Sequence, residues 1–326
     1  MRKKTLLKIK NALRKAKRAA VFAHIDPDGD AIGSALALAM ILEKSGIAAT
    51  IYSEDGVPRI YHFLPWSDRI VRHLPTGSHF DLALTVDSSD ISRVGSKVNL
   101  REIAPVVINI DHHPDNTGFG DINLVEKISS ASELVYELAK YLGIKFDKKI
   151  ADCLYVALIT DTGNFRYEST TVQTFNMAAG LIKAGVAPHE ITTRIYDSKT
   201  ISSIKINSAA LSGLEFTPDK KIAWTAVTEE MMQRADAQGE DLIGLVDQIR
   251  AINGIEVAIL LREENGRIKI NFRSKYTVNV SEIARQFGGG GHVKAAGAII
   301  KGPLDKVMEK VVAAAVKYLE ATNYLV

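Results

Sequence analysis

Short apolar runs alternate with longer segments of helical periodicity over the first half of the chain. Four runs, at residues 20–24, 47–52, 82–86 and 105–110, are typical of parallel strands that are covered on both faces. Four longer segments predict helices, at residues 30–45, 132–142, 148–159 and 171–184. This alternation predicts a doubly wound α/β domain with a mostly parallel sheet and a helical tail.

The pattern changes after Gly213. Residues 188–211 predict connecting helices, and the strands expected beyond them lie at 222–227, 255–261, 268–272 and 295–300. A turn at 263–267 would join two of these strands, and helices are expected at 281–286 and 304–319. We therefore expect a first domain at 1–187, linker helices at 188–213 and a smaller α+β domain at 214–326.

Composition adds limits to this picture. The 326 residues suffice for two domains, the charged content of 24% is ordinary, and a net charge of +3 does not demand a nucleic acid as partner. The single cysteine, Cys153, excludes an intramolecular disulfide and favours a reducing compartment, which we take to be the cytoplasm. No apolar run is long enough to predict a membrane span.

The first 18 residues are strongly basic, with nine lysines and arginines and no acid. Leu6, Ile9 and Leu13 recur at spacings of three and four, which predicts an amphipathic helix. The simpler interpretation of the cations is a solvated face on a packed helix. The alternative is a helix that attracts a polyanionic substrate.

Acidic and imidazole side chains stand where apolar segments of the first domain end. They are His24, Asp28, Asp30, Asp87, Asp111, His112, His113 and Asp161. Strand ends line one edge of an open α/β sheet, where ligands bind, and carboxylates gathered there repel one another unless a cation holds them. One such residue alone would more often be a helix cap or a structural histidine, but the combination predicts two divalent metal ions. Imidazole with carboxylate fits Mn²⁺ best, with Mg²⁺ or Co²⁺ as alternatives.

The order and spacing of these residues resemble the four motifs of the DHH phosphoesterase superfamily. The motifs are His24-x-x-x-Asp28-x-Asp30, Asp87, Asp111-His112-His113 and Asp161-Thr162-Gly163-Asn164-Phe165. The resemblance covers the whole first domain and implies a phosphoesterase that uses two metal ions.

The resemblance also implies a role for each residue. One metal ion would be bound by His24 and Asp28, the other by Asp30, His112 and Asp161, and Asp87 would bridge both. His113 would face the substrate phosphate and Asp111 would orient the histidines, so that the catalytic candidates are His113, Asp87 and Asp111. The ions would activate water for attack on phosphorus, and protonated His113 could transfer a proton to the leaving oxygen.

A second set of candidate residues lies in the second domain. Gly288 to Gly291 precede His292, and Arg273 ends a predicted strand. A glycine run alone is usually a flexible turn, but its N–H groups can also cradle an anion, and an arginine fork suits phosphate. We take Arg273, Gly289, Gly290 and His292 as substrate-binding candidates.

Three further residues are weaker candidates for contact with a nucleotide. Arg250 could join Arg273 in binding a phosphate. Phe165 and Tyr167 could stack on a base, although aromatic residues in such positions more often belong to the core.

The glycine run with His292 and the following Ala295-Ala296-Gly297 are similar to the DHH-associated domain. Together with the short first domain, they resemble the bacterial nanoRNase/pAp-phosphatase group. This implies hydrolysis of short RNA oligonucleotides to mononucleotides, removal of phosphate from pAp to give AMP, and a cleft between the domains. A homodimer is a further expectation, because the group commonly self-associates.

Two other functions stay open from the sequence. One is a phosphodiesterase for cyclic di-AMP or its linear product pApA. The other is a module that binds a nucleotide without turning it over, although such a module would not need six metal-ligand candidates.

Overall fold

The chain folds as two compact units that divide between Asp197 and Ser198. The computed structural model describes residues 2–322. Across those residues each unit is built on one six-stranded sheet. The division lies within the predicted linker at 188–213, whose two helices belong to different units. The exact domain limits stay a prediction.

The first unit is an α/β fold in which every strand pairing is parallel. Its strands are β1 (Arg18–Phe22), β2 (Ala48–Tyr52), β3 (Ile70–Val71), β4 (Leu82–Val86), β5 (Val107–Asp111) and β6 (Ile122–Val125). Its helices are α1 (Arg2–Leu13), α2 (Gly29–Lys44), α3 (Leu100–Ile103), α4 (Ala131–Leu142), α5 (Lys148–Asp161), α6 (Val172–Lys183) and α7 (Pro188–Tyr196). The predicted doubly wound sheet is confirmed. The sequence did not reveal β3 and β6, which are short and mostly half-buried.

The strand order is β3-β2-β1-β4-β5-β6, so the direction of chain progression reverses between β1 and β4. A reversal of this kind opens a crevice beyond the carboxyl ends of the two strands, which is where α/β sheets bind ligands. Side chains on both faces of the sheet are buried: Val21 and Leu84 belong to one apolar cluster, and Phe22 and Ala83 to the other. The sheet therefore forms a rigid support for the crevice.

Helices α2 and α5 pack closely because two glycines of α2 face α5. A Cβ on Gly29 would lie 2.8 Å from Cβ of Thr160, and one on Gly33 would lie 2.9 Å from Cβ of Ala157. Both separations are shorter than real Cβ contacts, so larger residues would push the helices apart. This approach brings the last residue of α5, Asp161, to the beginning of α2.

The second unit has a mixed sheet in the order β11-β12-β10-β9-β8-β7. The strands are β7 (Glu215–Phe216), β8 (Ile222–Val227), β9 (Val257–Glu264), β10 (Arg267–Ser274), β11 (Gly290–His292) and β12 (Ala295–Lys301). The helices are α8 (Ile201–Ser212), α9 (Glu229–Arg234), α10 (Leu245–Ala251), α11 (Val280–Arg285) and α12 (Leu304–Ala321). The predicted smaller α+β fold is confirmed, with β7 and β11 as additional strands.

The two faces of this sheet are covered by different helices. Residues of α8 and α10 pack in one apolar cluster, and residues of α11 and α12 pack in the other. Among residues 2–322, no helix combines the length and the apolar character needed to cross a bilayer.

Candidate active site

The predicted acidic and imidazole residues of the first unit meet at the crevice. His24 follows β1 by two residues, Asp87 follows β4 directly, and Asp111 is the last residue of β5. Asp30 lies in the first turn of α2, and Asp161 ends α5. Asp87 has a φ of 54°, a left-handed conformation that is uncommon for a residue with a side chain. Such local strain is typical of functional positions.

Asp87 belongs to three triads of potential metal ligands; one contains Asp111 and His113, and the other two consist of predicted metal ligands alone. The first of these two is His24, Asp28 and Asp87, and the second is Asp30, Asp87 and His112. Within each triad the ligand atoms lie within 4.8 Å of one another. Asp161 adjoins the second triad, because its Oδ2 lies 3.4 Å from Nε2 of His112. The structure thus brings together all six predicted metal ligands.

The two histidines are oriented in the same way. Nδ1 of His24 lies 2.7 Å from the carbonyl oxygen of Ile25, and Nδ1 of His112 lies 3.2 Å from that of Ile128. A carbonyl oxygen can only accept, so Nδ1 of each ring can donate its hydrogen to it, and Nε2 is the nitrogen that faces Asp87. The two Nε2 atoms lie 3.4 and 3.2 Å from the Asp87 carboxylate. This is the ring orientation that a histidine needs to bind a metal through Nε2.

The carboxylates of α2 have different surroundings. Asp28 caps the helix, with Oδ1 accepting hydrogen bonds from the backbone of Asp30 and Ala31, which leaves Oδ2 for another ligand. Asp30 is fully buried, and its oxygens accept hydrogen bonds from the Ser34 hydroxyl and from the first two N–H groups of α4. The carboxylate of Asp30 is therefore fixed in place.

Burial and mutual repulsion shift the pKa values of two carboxyl groups in this cluster upward. Burial, together with repulsion by Asp87 and Asp161, raises the pKa of Asp30 well above its usual value. Burial and the neighbouring Asp87 and Asp28 likewise raise the pKa of Asp161 to about 7, although His112 opposes the shift. Asp30 and Asp161 favour their protonated forms because burial and the neighbouring carboxylates together outweigh the attraction of His112.

Asp87 behaves in the opposite way. Burial alone would raise its pKa, but the neighbouring imidazoles of His112, His24 and His113 hold the pKa of this carboxyl well below its usual value. Its buried Oδ1 nevertheless has no hydrogen bond of acceptable geometry, with Nε2 of His112 at 3.2 Å and Nδ1 of His113 at 3.5 Å. A buried anionic oxygen without a well-placed donor fits a metal ligand. The donor set as a whole, imidazole and carboxylate without thiolate, suits divalent cations.

His113 is held by Asp111. Its Nδ1 lies 2.8 Å from Oδ1 of the fully buried Asp111, and Oδ2 of Asp111 accepts a 2.6 Å hydrogen bond from the Asn116 amide. Burial lowers the pKa of His113, but the hydrogen bond to Asp111 and the charge of Asp87 outweigh it and raise that pKa above 6.5. Nδ1–H is therefore directed at Asp111, which fixes the orientation of the His113 ring and of Nε2 on its other side.

Sequence reasoning missed two polar residues of this site, Arg93 and Asn116. Nη2 of Arg93 lies 3.1 Å from Nδ1 of His24, and the Arg93 carbonyl oxygen accepts a hydrogen bond from the backbone of Ile25. Asn116 also donates to the Ser88 carbonyl oxygen, which ties the loops after β4 and β5 together. Both residues lie in loops without periodicity, so only their proximity in sequence to Asp87 and His113 could have suggested them.

The aromatic residues after Asp161 pack within the first unit. The Phe165 ring stacks on Phe175 with centroids 5.1 Å apart, and the Tyr155 ring lies 6.4 Å away. A Cβ on Gly163 would clash with the Tyr167 ring, so this ring covers the glycine. These contacts favour the core role for Phe165, and base stacking by either residue stays a prediction.

In the second unit, two predicted arginines meet at one acid. Nε of Arg273 lies 3.6 Å from Oδ1 of Asp247, and Nη2 of Arg250 lies 3.2 Å from the same oxygen. Arg273 pairs with Ala295 across the sheet, and Ala295 pairs with His292 on its other side. Directly paired residues share a face of a sheet, so Arg273 and His292 project from the same face.

The glycine run forms a strand edge instead of the expected anion-binding loop. Gly290 to His292 form β11, which pairs with β12, and Gly288 has a φ of 73° beyond the end of α11. A Cβ on Gly289 would lie 2.8 Å from Cβ of Ala298, whereas one on Gly290 would have no atom within 4 Å. Gly289 therefore permits close packing within the fold, and Gly290 presents open backbone.

Comparisons with known proteins agree with this arrangement of two units. The family profile described as "DHH family, N-terminal domain" matches residues 18–158, and the profile of the DHHA1 domain matches residues 220–321. The chain belongs to the DHH family, in the group that carries a DHHA1 domain.

Particular relatives resemble the chain over most of its length. It is 35% identical over 309 residues to the bifunctional oligoribonuclease and PAP phosphatase NrnA of Thermus thermophilus, covering 93% of this chain and 90% of the relative. It is 28% identical to the protein of the same name from Bacillus subtilis, covering 85% and 87%. The crystal structure of an exopolyphosphatase-related protein from Bacteroides fragilis superposes with a TM-score of 0.90 at 26% identity, covering 99% and 97%.

Proposed function

We propose that this protein is a metal-dependent phosphoesterase that hydrolyses short oligoribonucleotides to mononucleotides and dephosphorylates pAp to AMP. The observation that carries the proposal is the pair of ligand triads that share Asp87 at the switch point of the sheet. The names of the two NrnA relatives, which cover most of the chain, supply the substrate class.

The cluster fits two divalent cations. His24, Asp28 and Asp87 would hold one, and Asp30, His112, Asp161 and Asp87 would hold the other. Such cations lower the pKa of water and neutralise the charge that develops on phosphate oxygens. We favour Mn²⁺ because two imidazoles accompany the carboxylates, whereas Mg²⁺ usually takes few or none.

The residues next to this cluster would position and protonate the substrate. Asn116 holds Asp111, and Asp111 holds Nδ1–H of His113, so that Nε2 of His113 has a fixed direction. The raised pKa of His113 increases its protonated fraction near neutral pH. In that form Nε2–H can bind a phosphate oxygen or give a proton to the leaving oxygen.

The second unit would bind the nucleotide. Arg273 can fork onto a phosphate, with Asp247 limiting the orientations of its guanidinium, and Arg250 shares the same acid. Gly290 and His292 belong to β11, which lies at the edge of its sheet, and the backbone of an edge strand can hydrogen-bond a ligand. A cytoplasmic location accords with the buried single cysteine, Cys153, and with RNA fragments as substrates. Self-association stays a prediction.

A panel of substrates and metals tests the proposal. Turnover of a dinucleotide, pAp, pApA and cyclic di-AMP is measured with Mn²⁺, Mg²⁺ or Co²⁺ and after chelation. We expect mononucleotides from the dinucleotide and AMP from pAp in Mn²⁺, and no product after chelation.

The test variant is Asp87→Asn, and its matched control is Asp90→Asn, which makes the same chemical change three residues further along the chain. Asp90 caps the turn at 91–94, and asparagine caps equally well, so this variant should keep full activity. Activity that survives both chelation and Asp87→Asn would refute the metal mechanism. Faster turnover of cyclic di-AMP or pApA than of the other substrates would favour the alternative phosphodiesterase, and binding without any product would favour a nucleotide-binding module.

A further inference from the structure

The outer face of α1 carries a group of lysines that the candidate active site does not use. Leu6, Ile9 and Leu13 are buried against the unit, whereas Lys3, Lys4 and Lys8 are exposed on the opposite face. Arg14 and Lys15, in the turn that follows, are also exposed. We define these five cations, Lys3, Lys4, Lys8, Arg14 and Lys15, as the α1 basic face.

The charge on this face is not balanced by its surroundings. In helix α1, Arg2 forms an ion pair with Glu126. Within residues 2–322, none of the five cations of the α1 basic face forms an ion pair. The first 18 residues carry nine cations and no acid, while the rest of the chain carries 32 (41 less these nine) against 38 acids. The modest net charge of the protein therefore conceals a strongly positive segment.

The charges of α1 oppose the stability of the helix that carries them. Arg2, Lys3 and Lys4 stand at the N-terminal end of α1, where the helix dipole disfavours cations. Lys4 and Lys8 are four residues apart, a spacing at which like charges repel on a helix. Arg2 is offset by its pairing with Glu126, but Lys3, Lys4 and Lys8 gain no ion pair among the described residues, and a ligand is the better explanation for these lysines.

The packing of α1 distinguishes between two kinds of anionic partner. A helix that binds a membrane inserts its apolar face into the lipid. The apolar face of α1 is already buried, and Leu7 is the exposed large hydrophobic residue of this helix in the described structure. A partner that offers phosphates, rather than an apolar phase, fits this surface.

We propose that the α1 basic face, whose residues belong to none of the candidate metal-ligand groups, binds single-stranded RNA. Lys3, Lys4 and Lys8 contact successive phosphates, and Leu7 and Asn11, which share the exposed face, can touch sugars or bases. The choice of RNA over other polyanions rests on the proposed function. The inference that the α1 basic face binds a polyanion rests on its charge and exposure alone. The surface would hold strands longer than the substrates and concentrate the enzyme where short fragments are produced.

The test measures binding of a fluorescein-labelled 20-nucleotide RNA by anisotropy in EDTA, so that hydrolysis is suppressed. The variant Lys3→Gln/Lys4→Gln/Lys8→Gln is compared with Lys306→Gln/Lys310→Gln/Lys317→Gln, which removes three exposed lysines from α12, where acids are interspersed. Glutamine keeps a high helix propensity, and the thermal midpoint of each variant verifies the fold.

We expect the α1 variant to bind about tenfold more weakly and the α12 variant to bind like the unmodified protein. Because single strands contribute about 0.7 per neutralised phosphate, the slope of log affinity against log salt should fall by about 2 in the α1 variant. Dinucleotide turnover should be unchanged in both variants.

Equal loss of RNA affinity in the two variants, or no loss in either, would overturn the proposal. Vesicles with phosphatidylglycerol and inorganic polyphosphate serve as competing probes, and binding to either that depends on Lys3, Lys4 and Lys8 while RNA binding does not would also overturn it. RNA binding through α1 by a protein that hydrolyses no substrate would refute the proposed function and leave this inference standing.

Discussion

The two candidate sites of this chain are built on opposite physical principles. The cluster of the first unit consists of buried charges, and its core residues Asp30, Asp87 and Asp111 are almost inaccessible to solvent. The residues of the second unit, Arg273 and His292, are half-buried on one face of a sheet, beside glycines that leave space. The carboxylates of the first site repel one another, whereas the arginines of the second site are paired, since Arg250 and Arg273 both approach Asp247.

This difference predicts where substitutions will act. Changes in the first cluster should alter chemistry, metal binding and pH dependence together, because all three depend on the same electrostatic balance. Substitutions in the second site should affect either the packing of the fold or the binding of a nucleotide, because neighbouring positions such as Gly289 and Gly290 have different surroundings.

The largest effect is expected from Asp87→Asn. This substitution removes the charge shared by the two triads while keeping the size of the side chain. We expect turnover of a dinucleotide to fall by about 10³-fold or more, as for other groups on which a whole catalytic unit depends. Steady-state kinetics in Mn²⁺ measure it, and a loss smaller than tenfold would contradict the central role of Asp87.

Metal binding should stabilise the protein strongly. At a free concentration 100-fold above its Kd, one ion adds about 2.7 kcal/mol to the free energy of unfolding. For a domain of the size of the first unit, the midpoint of thermal unfolding should rise by about 5–10 °C. Thermal denaturation with Mn²⁺ and with EDTA measures the shift, which Asp90→Asn should keep and Asp87→Asn should lose. A shift that persists in Asp87→Asn would place the ions elsewhere.

The metal-free protein should lose stability as the pH rises from 5 to 7. The folded Asp161 has a pKa of about 7, and the unfolded group has one near 3.8, so the folded state holds the extra proton over this range. The contribution is complete below the unfolded pKa and is lost as the pH passes through the folded one. Asp30, His24 and His112 also have raised pKa values and act in the same direction.

We expect a loss on the order of 2 kcal/mol between these pH values in EDTA. Urea denaturation at several pH values measures it, and Asp161→Asn should make the dependence shallower. Bound metal should remove the dependence, because cations replace the protons. A metal-free protein that becomes more stable from pH 5 to 7 would show that the cluster is not a group of mutually repelling carboxylates.

The sequence predicted the first site better than the second for a physical reason. Strands β1, β4 and β5 are mostly apolar, so the polar residues at or just beyond their ends, such as His24, Asp87 and Asp111, are conspicuous in the sequence. Parallel strands then bring those ends to one edge without further information. The local apolar pattern, together with the rule that parallel strands end at one edge of the sheet, was therefore sufficient to predict which residues of the first site lie together.

The features that were missed depend on long-range packing. The strand order follows from pairings across the chain, and the approach of α5 to α2 depends on Gly29 and Gly33, which carry no signal of their own. Strand β11 consists mainly of glycine, which is depleted in strands, so its glycines predicted a loop. These glycines form an edge strand because they pair with β12, which follows them in the chain.

The smallest effects, and the sharpest test of the second site, come from its neighbouring glycines. In Gly289→Ala the new Cβ would clash with the backbone of Gly297 and lie 2.8 Å from Cβ of Ala298, so the free energy of unfolding should fall by about 1–2 kcal/mol. In Gly290→Ala the methyl group meets no atom within 4 Å, and stability should change by less than about 0.5 kcal/mol. If open backbone at Gly290 receives the nucleotide, this second variant should instead raise KM for the dinucleotide several-fold with kcat unchanged. Denaturation and steady-state kinetics of both variants provide the test. An unchanged KM in Gly290→Ala would show that Gly290 is not part of the binding site. Equal destabilisation of the two variants would show that both glycines serve only the packing of β11 on β12.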